Sequence, residues 1–186
     1  MHLQDTIERV VLLGADGTAI GTDLKATVHT TDTPLHLAFS CHVLNSAGEV
    51  LVTRRALEKS TWPGVWTNSF CGHPQPDEIP AESVHRRAAH ELGLQISDLE
   101  VVLPDFSYRA VDASGIVEHE FCPVYLAHTD RDPDPNPLEV METRWVDPLR
   151  LGTAITATPW AFSPWLVMQA ARLPFLGGSA LDEATA

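Results

Sequence analysis

Residues 72–94 read GHPQPDEIPAESVHRRAAHELGL and carry most of the information about the fold. Pro80 suits the first turn of a helix, where a missing backbone N–H costs nothing, and Gly93 suits the position just after a helix end. The residues between them are rich in alanine and charge. The stretch therefore predicts a helix with its interior at residues 81–92.

Short apolar segments lie on both sides of this helix. They predict strands, because turn-forming residues bound each of them. The predicted strand segments are 10–13, a hairpin of 36–44 with 50–55, 67–71, a hairpin of 101–110 with 116–127, and 143–146. Loops are predicted at 57–66 and 128–137, and a closing helix at 162–172. This order of elements favours an α+β or sandwich-like fold over a parallel doubly wound sheet.

The composition of the 186 residues, 44% of them hydrophobic, is typical of a single folded domain. We expect one domain over residues 1–186, with its core at about 8–172 and a mobile tail at 174–186. No apolar run approaches the roughly 20 residues that a membrane helix needs. The first residues lack the basic and apolar regions of a signal peptide, so the expected location is the cytoplasm.

Charge and cysteine content argue against several classes of protein. The net charge of −13 disfavours nucleic acids and anionic membranes as partners, because both attract basic surfaces. The three cysteines, Cys41, Cys71 and Cys122, are too few for a disulfide framework and are expected to be thiols. Cys41 and Cys122 lie in apolar strands, where a structural role is expected.

The first candidate for chemistry is Glu118-His119-Glu120, inside a predicted strand. Alternation puts the two carboxylates on one face and His119 on the other. Carboxylates this close repel each other unless a cation lies between them, and a divalent metal ion is the usual partner. The alternative is a solvated strand face, and the pair alone does not decide between the two.

The second candidate lies where strand 67–71 runs into Cys71, Gly72 and His73. Cys71 and His73 share a face of an extended chain, and Gly72 allows the backbone to approach a ligand closely. A thiol beside a metal ion or another cation can ionise near neutral pH. The alternative is a buried structural thiol. Spacing alone does not select metal ligands among the nine histidines of the chain.

The segment from Gly72 to Leu94 resembles a degenerate Nudix box, which reads G, five residues, E, seven residues, R-E-U-x-E-E-x-G-U with U apolar. The matching positions are Gly72, Glu78, Arg86, Glu91 and Gly93. Arg87 and His90 stand where the box has glutamates that bind metal ions. This departure argues against a Nudix pyrophosphohydrolase and still allows one metal ion at Glu91. The alternative is an ordinary amphipathic surface helix.

Further segments together resemble the type 1 isopentenyl-diphosphate delta-isomerases over about residues 8–170. They are 29–39 (HTTDTPLHLAF), 54–59 (RRALEK), 62–74 (WPGVWTNSFCGHP), 108–110 (YRA), 118–120 (EHE) and 158–165 (TPWAFSPW). The resemblance implies an α+β fold, a Nudix-like mixed sheet sandwich with flanking helices. It implies the interconversion of isopentenyl and dimethylallyl diphosphate in isoprenoid biosynthesis. The small-molecule partner is then a diphosphate, and relatives are monomers or homodimers.

The resemblance also assigns roles to individual residues. A site for Mn²⁺ or Zn²⁺ is implied at His29, His36, His73, Glu118 and Glu120. Glu91 is implied as a ligand of Mg²⁺, together with the backbone of Cys71. Proton transfer is implied for Cys71 and Glu120, with Tyr108 hydrogen-bonded to the glutamate. Contacts with the diphosphate are implied for Lys25, Arg55, Lys59 and Arg87, and contact with the hydrocarbon for Trp165.

The implied chemistry explains two odd features of the composition. An acidic chain binds a diphosphate poorly, but metal ions add positive charge, and both lysines of the chain fall on implied phosphate contacts. A double-bond shift passes through a cation-like state that a dry aromatic pocket stabilises by about 1–2 kcal/mol. Trp66 and Trp160 are further expected wall residues, whereas Trp145 is expected in the core. The competing hypotheses are a Nudix-type pyrophosphohydrolase and a metal-binding module without catalysis.

Overall fold

The computed structural model describes residues 8–179. The expectations for the N-terminal residues 1–7 and for the tail at 180–186 lie outside this range. No helix within the described range is long and apolar enough to cross a membrane.

Strands and helices follow one another in this order along the chain. The strands are β1 (Arg9–Leu13), β2 (Ala19–Leu24), β3 (His36–Leu37), β4 (Phe39–Leu44), β5 (Val50–Arg55), β6 (Trp66–Thr67), β7 (Phe70–Gly72), β8 (Ser97–Leu103), β9 (Ser107–Val111), β10 (Val117–Phe121), β11 (Val124–His128) and β12 (Val140–Val146). The helices are α1 (Lys25–Val28), α2 (Pro80–Leu92), α3 (Pro148–Ala157) and α4 (Pro164–Ala170), with 3₁₀ turns at Pro159–Ala161 and Pro174–Leu176.

Two mixed sheets form the centre of the structure. The first has the order β2-β1-β3-β10-β9. The second has the order β12-β5-β4-β11-β8, with β6 beside β5 and β7 beside β4. Most pairs are antiparallel, but β10 pairs with β3, and β11 with β4, in parallel.

The chain passes between the sheets at two neighbouring points. Ala38 separates β3 from β4, while Cys122 and Pro123 separate β10 from β11. The backbone stays paired here, since Ala38 N–H donates to Phe121 C=O at 2.9 Å and Ser40 N–H donates to Pro123 C=O at 3.1 Å. We call Ala38, Cys122 and Pro123 the seam. It brings the first sheet next to the second where the candidate site lies.

Helices cover both faces of the second sheet. One buried cluster joins Phe39 of β4 to Val84 of α2. The other joins Val124 of β11 to Leu151 of α3 and Leu166 of α4. Burial of each large apolar side chain contributes about 1.5–3 kcal/mol. The predicted sandwich of mixed sheets with flanking helices is therefore confirmed.

The predicted central helix is also confirmed. Pro80 occupies its first turn, and Gly93 follows its last residue in the left-handed conformation, with φ of 63°. The Gly93 N–H donates to the Ala89 C=O at 3.1 Å and so satisfies one of the carbonyls left open at the helix end. Glycine adopts this backbone conformation without the steric cost that other residues incur.

The two predicted hairpins are only partly correct. β4 does pair with β5, and β9 with β10. Residues 36–44 and 116–127, however, are each divided by the seam into two strands of different sheets. Residues 101–110 are likewise divided between β8 and β9. A continuous apolar run does not reveal such a change of sheet, because the strands on both sides of the seam are partly or fully buried.

Strand β2 and helices α1 and α3 are missing from the sequence prediction. Strand β2 is exposed along almost its whole length, so it has no apolar alternation. Helix α3 contains Gly152, a poor helix former. A Cβ at Gly152 would lie 1.8 Å from the Leu176 carbonyl oxygen, so close packing explains the glycine.

The expected start of the mobile tail is wrong. The predicted helix at 162–172 corresponds to the shorter α4, and a 3₁₀ turn at Pro174–Leu176 follows it. Leu176 is only 4% exposed and belongs to the core. The chain therefore stays packed beyond residue 174, because Leu176 buries apolar surface against α3.

Candidate active site

One cavity collects most of the candidate residues. It is lined by Lys25, His29, Arg55, Lys59, Ser60, Thr61, Cys71, Gly72, His73, Arg87, Tyr108, Glu118, Glu120 and Trp165. Two further candidates, His36 and Glu91, lie behind this surface and contact His73 and Arg87, respectively. Both sheets and helices α1, α2 and α4 contribute, so the cavity forms only in the folded chain.

Three histidines and a glutamate converge at one side of the cavity. One ligand-type atom from each of His29, His36, His73 and Glu120 lies within 4.8 Å of the others. His73 Nε2 is 3.2 Å from His36 Nε2 and 3.1 Å from Glu120 Oε1. Nitrogen and oxygen donors in this arrangement can hold a divalent transition-metal ion.

Strand register explains why these residues meet. Glu120 on β10 lies opposite His36 of β3 on one side and Tyr108 of β9 on the other. In the second sheet, Cys71 on β7 lies opposite Ser40 of β4. Because the seam joins the two sheets, the ligand group and the thiol face the same cavity.

Unpaired polar atoms support a bound cation at this place. Glu118 Oε1 accepts a hydrogen bond from Thr61 Oγ1 at 2.6 Å. Glu118 Oε2 and His29 Nε2 lie 3.1 Å apart, yet both are buried without a hydrogen-bond partner among residues 8–179. His36 Nδ1 lies 2.9 Å from the Pro34 C=O, which leaves Nε2 facing the group. Buried ligand-type atoms without partners are what a metal ion would satisfy, so the residues fit one.

Glu120 is fixed by its neighbours. Tyr108 O–H donates to Glu120 Oε2 at 3.0 Å. Burial alone would raise the pKa of Glu120, but hydrogen bonds from His36 and His73 and their charges outweigh it and hold the pKa well below its usual range. Burial also raises the pKa of Tyr108 well above its ordinary value, so the phenol keeps its proton and acts as a donor.

Cys71 presents a protonated sulfur to the cavity. Burial, reinforced by the negative charge of Glu120, raises the pKa of the Cys71 thiol to about 12. Its Sγ lies 3.4 Å from Ser40 Oγ and 3.4 Å from Asn68 Oδ1. All three cysteines of the chain are free thiols, as predicted.

Gly72 brings a basic side chain into the cavity. A Cβ at Gly72 would lie 2.7 Å from Arg87 Cγ and 2.8 Å from Phe39 Cζ. The Arg87 stem therefore crosses the backbone at Gly72 with no room for a side chain there. Close approach of two side chains explains this glycine, whereas the sequence led us to expect a close approach to a ligand.

The basic residues of the cavity are largely neutralised by carboxylates. Lys25 pairs with Glu8 at 2.6 Å, Lys59 pairs with Glu139, and Arg87 pairs with Glu91 at 2.6 Å. The cations Lys59 and Arg87 outweigh burial and lower the pKa of Glu139 to about 2, which keeps it charged. An anionic ligand must compete with these carboxylates for the cations.

Arg55 differs from the other three cations, because it is held by neutral groups. Its guanidinium donates to the Thr61 C=O at 2.7 Å and to the Trp62 C=O at 3.2 Å. It also lies over the Trp165 ring, 5.4 Å from the ring centroid. No carboxylate within residues 8–179 forms an ion pair with it, so its charge faces the cavity uncompensated.

An aromatic wall lies beside the thiol. Trp165 is 2% exposed, and its Nε1–H donates to Asn68 Oδ1 at 2.9 Å. Its ring meets Trp62 edge-on at 5.4 Å and Tyr108 at 5.7 Å between centroids. The expectation for Trp160 is wrong, because that side chain is 82% exposed.

Comparisons with known proteins identify the family of the chain. A family model described as NUDIX domain matches residues 34–166. Proteins named "Isopentenyl-diphosphate Delta-isomerase" from Agromyces mediolanus and Clavibacter sepedonicus are each 63% identical to this chain. They cover 93% and 91% of this chain and 84% and 87% of their own length. The chain belongs to the isopentenyl-diphosphate Delta-isomerase family, within the Nudix proteins.

Solved structures support the fold of the family. The DR0079 protein of Deinococcus radiodurans has a TM-score of 0.67 at 23% identity, covering 87% of this chain and 96% of its own. A MutT protein of Methanosarcina mazei Go1 has a TM-score of 0.51 at 21% identity, covering 63% of this chain and 80% of its own. At these identities the likeness shows the Nudix fold alone.

The Nudix box has a structural role in this member of the isomerase family. Arg86 donates to Glu78 through Nε at 2.7 Å and through a terminal nitrogen at 2.8 Å. It also donates to the His73 C=O at 3.2 Å. The box thereby holds the loop that carries His73 against helix α2. Glu91 is engaged by Arg87 and is not among the residues that line the cavity within the described chain.

Several residues of the site escape sequence reasoning. Thr61, Glu8 and Glu139 contact candidate residues, yet each lies alone in a loop or at a strand start without a motif of its own. Trp62, in the segment that carries the resemblance, has an unusual φ of 43° that only the structure reveals. Ser40 lies in an apolar strand, and its signal in the sequence is that a small polar residue stands there. The structure shows that it is 0% exposed.

Proposed function

We propose that this chain interconverts isopentenyl diphosphate and dimethylallyl diphosphate. The observation that carries the proposal is that one cavity contains the Cys71 thiol, the Glu120 carboxylate and four basic side chains. Relatives that are 63% identical bear the name of this activity. The reaction shifts a double bond by one carbon and needs no other reactant.

The shift requires an acid and a base at separate positions along the substrate. One proton is added at one end of the allylic unit, and another is removed two carbons away. Cys71 and Glu120 are suited to these roles and exchange them between the forward and reverse directions. Tyr108 holds the Glu120 carboxylate in place through its hydrogen bond. The proton balance is restored by exchange with solvent.

We propose that Mn²⁺ or Zn²⁺ binds at His29, His36, His73, Glu118 and Glu120. The unpaired, buried Glu118 and His29 atoms support this assignment. A bound divalent ion would supply positive charge that offsets the repulsion between the carboxylates of Glu118 and Glu120. The protein's own part is to fix the orientation of Glu120, through His36, His73 and Tyr108.

We propose that the diphosphate binds at Lys25, Arg55, Lys59 and Arg87, with Mg²⁺ held by Glu91 and the backbone of Cys71. Four cations stand here against the carboxylates of Glu8, Glu91 and Glu139. The small excess of positive charge supports the need for a metal ion alongside the phosphates. Anchoring the diphosphate would position the alkene near Cys71 and Glu120.

Metal content tests the ligand assignment independently of activity. We expect His36→Ala, dialysed against a chelator, to lose most of the tightly bound transition metal that the wild type keeps, because one of the converging donors is gone. His85→Ala is the matched control, since His85 is exposed on α2. Elemental analysis by mass spectrometry measures metal per chain. Equal metal content in the two variants would remove the assignment.

Two substitutions of Trp165 test the role of the aromatic ring. Both Trp165→Phe and Trp165→Ala lose the hydrogen bond to Asn68, so their difference reports the ring itself. We expect Phe to lower kcat less than tenfold and Ala to lower it about tenfold further, because a ring face stabilises a desolvated cation by about 1–2 kcal/mol. Steady-state kinetics of folded variants checks this. Equal effects would show that the ring face has no part in the reaction.

The direct test of the activity uses proton NMR in D₂O. Purified protein loaded with Mg²⁺ and Mn²⁺ or Zn²⁺ is incubated with isopentenyl diphosphate. We expect dimethylallyl diphosphate that carries deuterium, because the added proton comes from groups that exchange with solvent. An unchanged spectrum from folded, metal-loaded protein would contradict the proposal. A cytoplasmic location and a monomeric or homodimeric state stay predictions.

The pyrophosphohydrolase hypothesis receives no support from the site. Arg87 and His90 replace two acidic residues of the Nudix box. Phosphate release from a panel of nucleoside diphosphates would be the result that revives it. A metal-binding module without catalysis would give neither product in these assays.

A further inference from the structure

A chain of buried side chains lies behind the Cys71 thiol. Ser40 Oγ on β4 lies 2.9 Å from Gln169 Nε2, and 3.4 Å from both Cys71 Sγ and Cys122 Sγ. Gln169, on α4, has its Oε1 3.0 Å from His42 Nε2. Ser40, His42 and Gln169 are each 0% exposed. Water does not compete for the contacts among these three side chains, so their hydrogen-bond directions follow from the protein groups alone.

The direction follows from the single proton on the His42 ring. Burial lowers the pKa of His42 to about 4, so the ring is neutral and carries one N–H. His42 Nδ1 has no hydrogen-bond partner among residues 8–179. A proton on Nδ1 would leave a buried N–H unpaired, which costs more than an unpaired lone pair. The proton therefore lies on Nε2 and is donated to Gln169.

This donation fixes the Gln169 amide. Its oxygen accepts from His42, and its NH₂ group donates to Ser40 Oγ. The Ser40 hydroxyl hydrogen then has the two neighbouring sulfurs, of Cys71 and Cys122, as its acceptors.

The proton of Cys71 is directed elsewhere. Cys71 Sγ donates to Asn68 Oδ1 at 3.4 Å. The Asn68 amide cannot flip without loss, because its NH₂ group donates to the Cys41 C=O at 3.1 Å and to the Phe70 C=O at 2.8 Å. The sulfur lone pairs of Cys71 are therefore free to accept the hydrogen of Ser40.

We propose that Ser40, oriented by Gln169 and His42, is a positioning residue for Cys71. Its O–H donates to the sulfur, holds the thiol beside the cavity and stabilises the negative charge that the sulfur gains when its proton leaves for carbon. The inference rests on the proposed isomerase function. A hydrogen bond to a charged partner is among the stronger ones, so its loss should be measurable in turnover.

Cys122 offers a second acceptor and defines the competing role. If Ser40 donated only to Cys122, its effect would be on packing at the seam, and Cys71 would not sense it. The two cases differ in the S–H stretching band of Cys71. That band is obtained as the infrared difference between the wild type and Cys71→Ala.

The experiment combines kinetics with this band. Ser40→Ala should lower kcat for isopentenyl diphosphate about tenfold with KM unchanged, and should shift the Cys71 band. Gln169→Met, of similar shape, should lower kcat severalfold, because Ser40 is no longer oriented. Ser40→Thr keeps the hydroxyl and should restore most of kcat. Cys122→Ala should leave the Cys71 band where it is.

The outcomes separate this inference from the proposed function. An inactive wild type would defeat the function itself. With an active wild type, a wild-type kcat in folded Ser40→Ala or folded Gln169→Met overturns the positioning role. A Cys71 band that shifts in Cys122→Ala and not in Ser40→Ala assigns the hydroxyl to Cys122 and also overturns it.

Discussion

Replacing Cys71 with alanine is expected to lower kcat by at least about a thousandfold while the protein stays folded. The substitution removes the thiol that faces the cavity. Asn68 and Ser40 remain, but an amide and a serine hydroxyl are weak acids. The loss should appear in the rate of dimethylallyl diphosphate formation measured by NMR.

Cys41→Ala is the matched control for this variant. Cys41 is the next residue after Ser40 on β4, is 0% exposed, and packs against α2 on the opposite face of the sheet. It should cost about 1 kcal/mol of stability and leave kcat near the wild-type value. A Cys71→Ala protein that turns over within tenfold of wild type would defeat the proton-transfer pair.

Replacing Glu120 with glutamine has the second large expected effect. Glutamine keeps the shape and can still accept the Tyr108 hydrogen bond, but it neither takes up nor releases a proton at working pH. We expect a loss of kcat of at least about a thousandfold. Metal content should fall as well, because Glu120 is one of the converging donors.

Two measurements separate the parts of this effect. Metal analysis shows how much ion is lost, and activity is then compared at saturating Mn²⁺ or Zn²⁺. Glu100→Gln, an exposed position on β8, controls for the loss of one negative charge. If saturating metal restored Glu120→Gln to wild-type turnover, the carboxylate would serve only as a ligand and the proposed base would have to be another group.

The parts of the fold that the sequence predicts well are those with local causes. Helix α2 begins at Pro80 and ends before Gly93, and both residues act through their own backbone geometry. The pairing of β4 with β5 and of β9 with β10 is also predicted, because a tight turn joins the two strands of each pair. The switch of sheets at Ala38 has no such local cause, because it depends on which distant strand pairs with each half of the segment.

The site shows the same division. Alternation within one strand places Glu118 and Glu120 together, and both do line the cavity. The convergence of His29, His36 and His73 joins three loops and strands, and the sequence indicates it only through a resemblance to a family. Nothing in the sequence marks Glu139 as a site residue, because its partner Lys59 lies 80 positions away along the chain.

The seam has a consequence for the chemistry itself. Glu120 belongs to one sheet and Cys71 to the other, so the span between the proposed proton acceptor and the proposed proton donor depends on how the two sheets abut. The backbone would then determine the length of hydrocarbon that fits between these two groups. A larger side chain at Ala38 would push the two sheets apart. We expect it to change the length of the hydrocarbon substrate that reacts, without changing any group that touches the substrate.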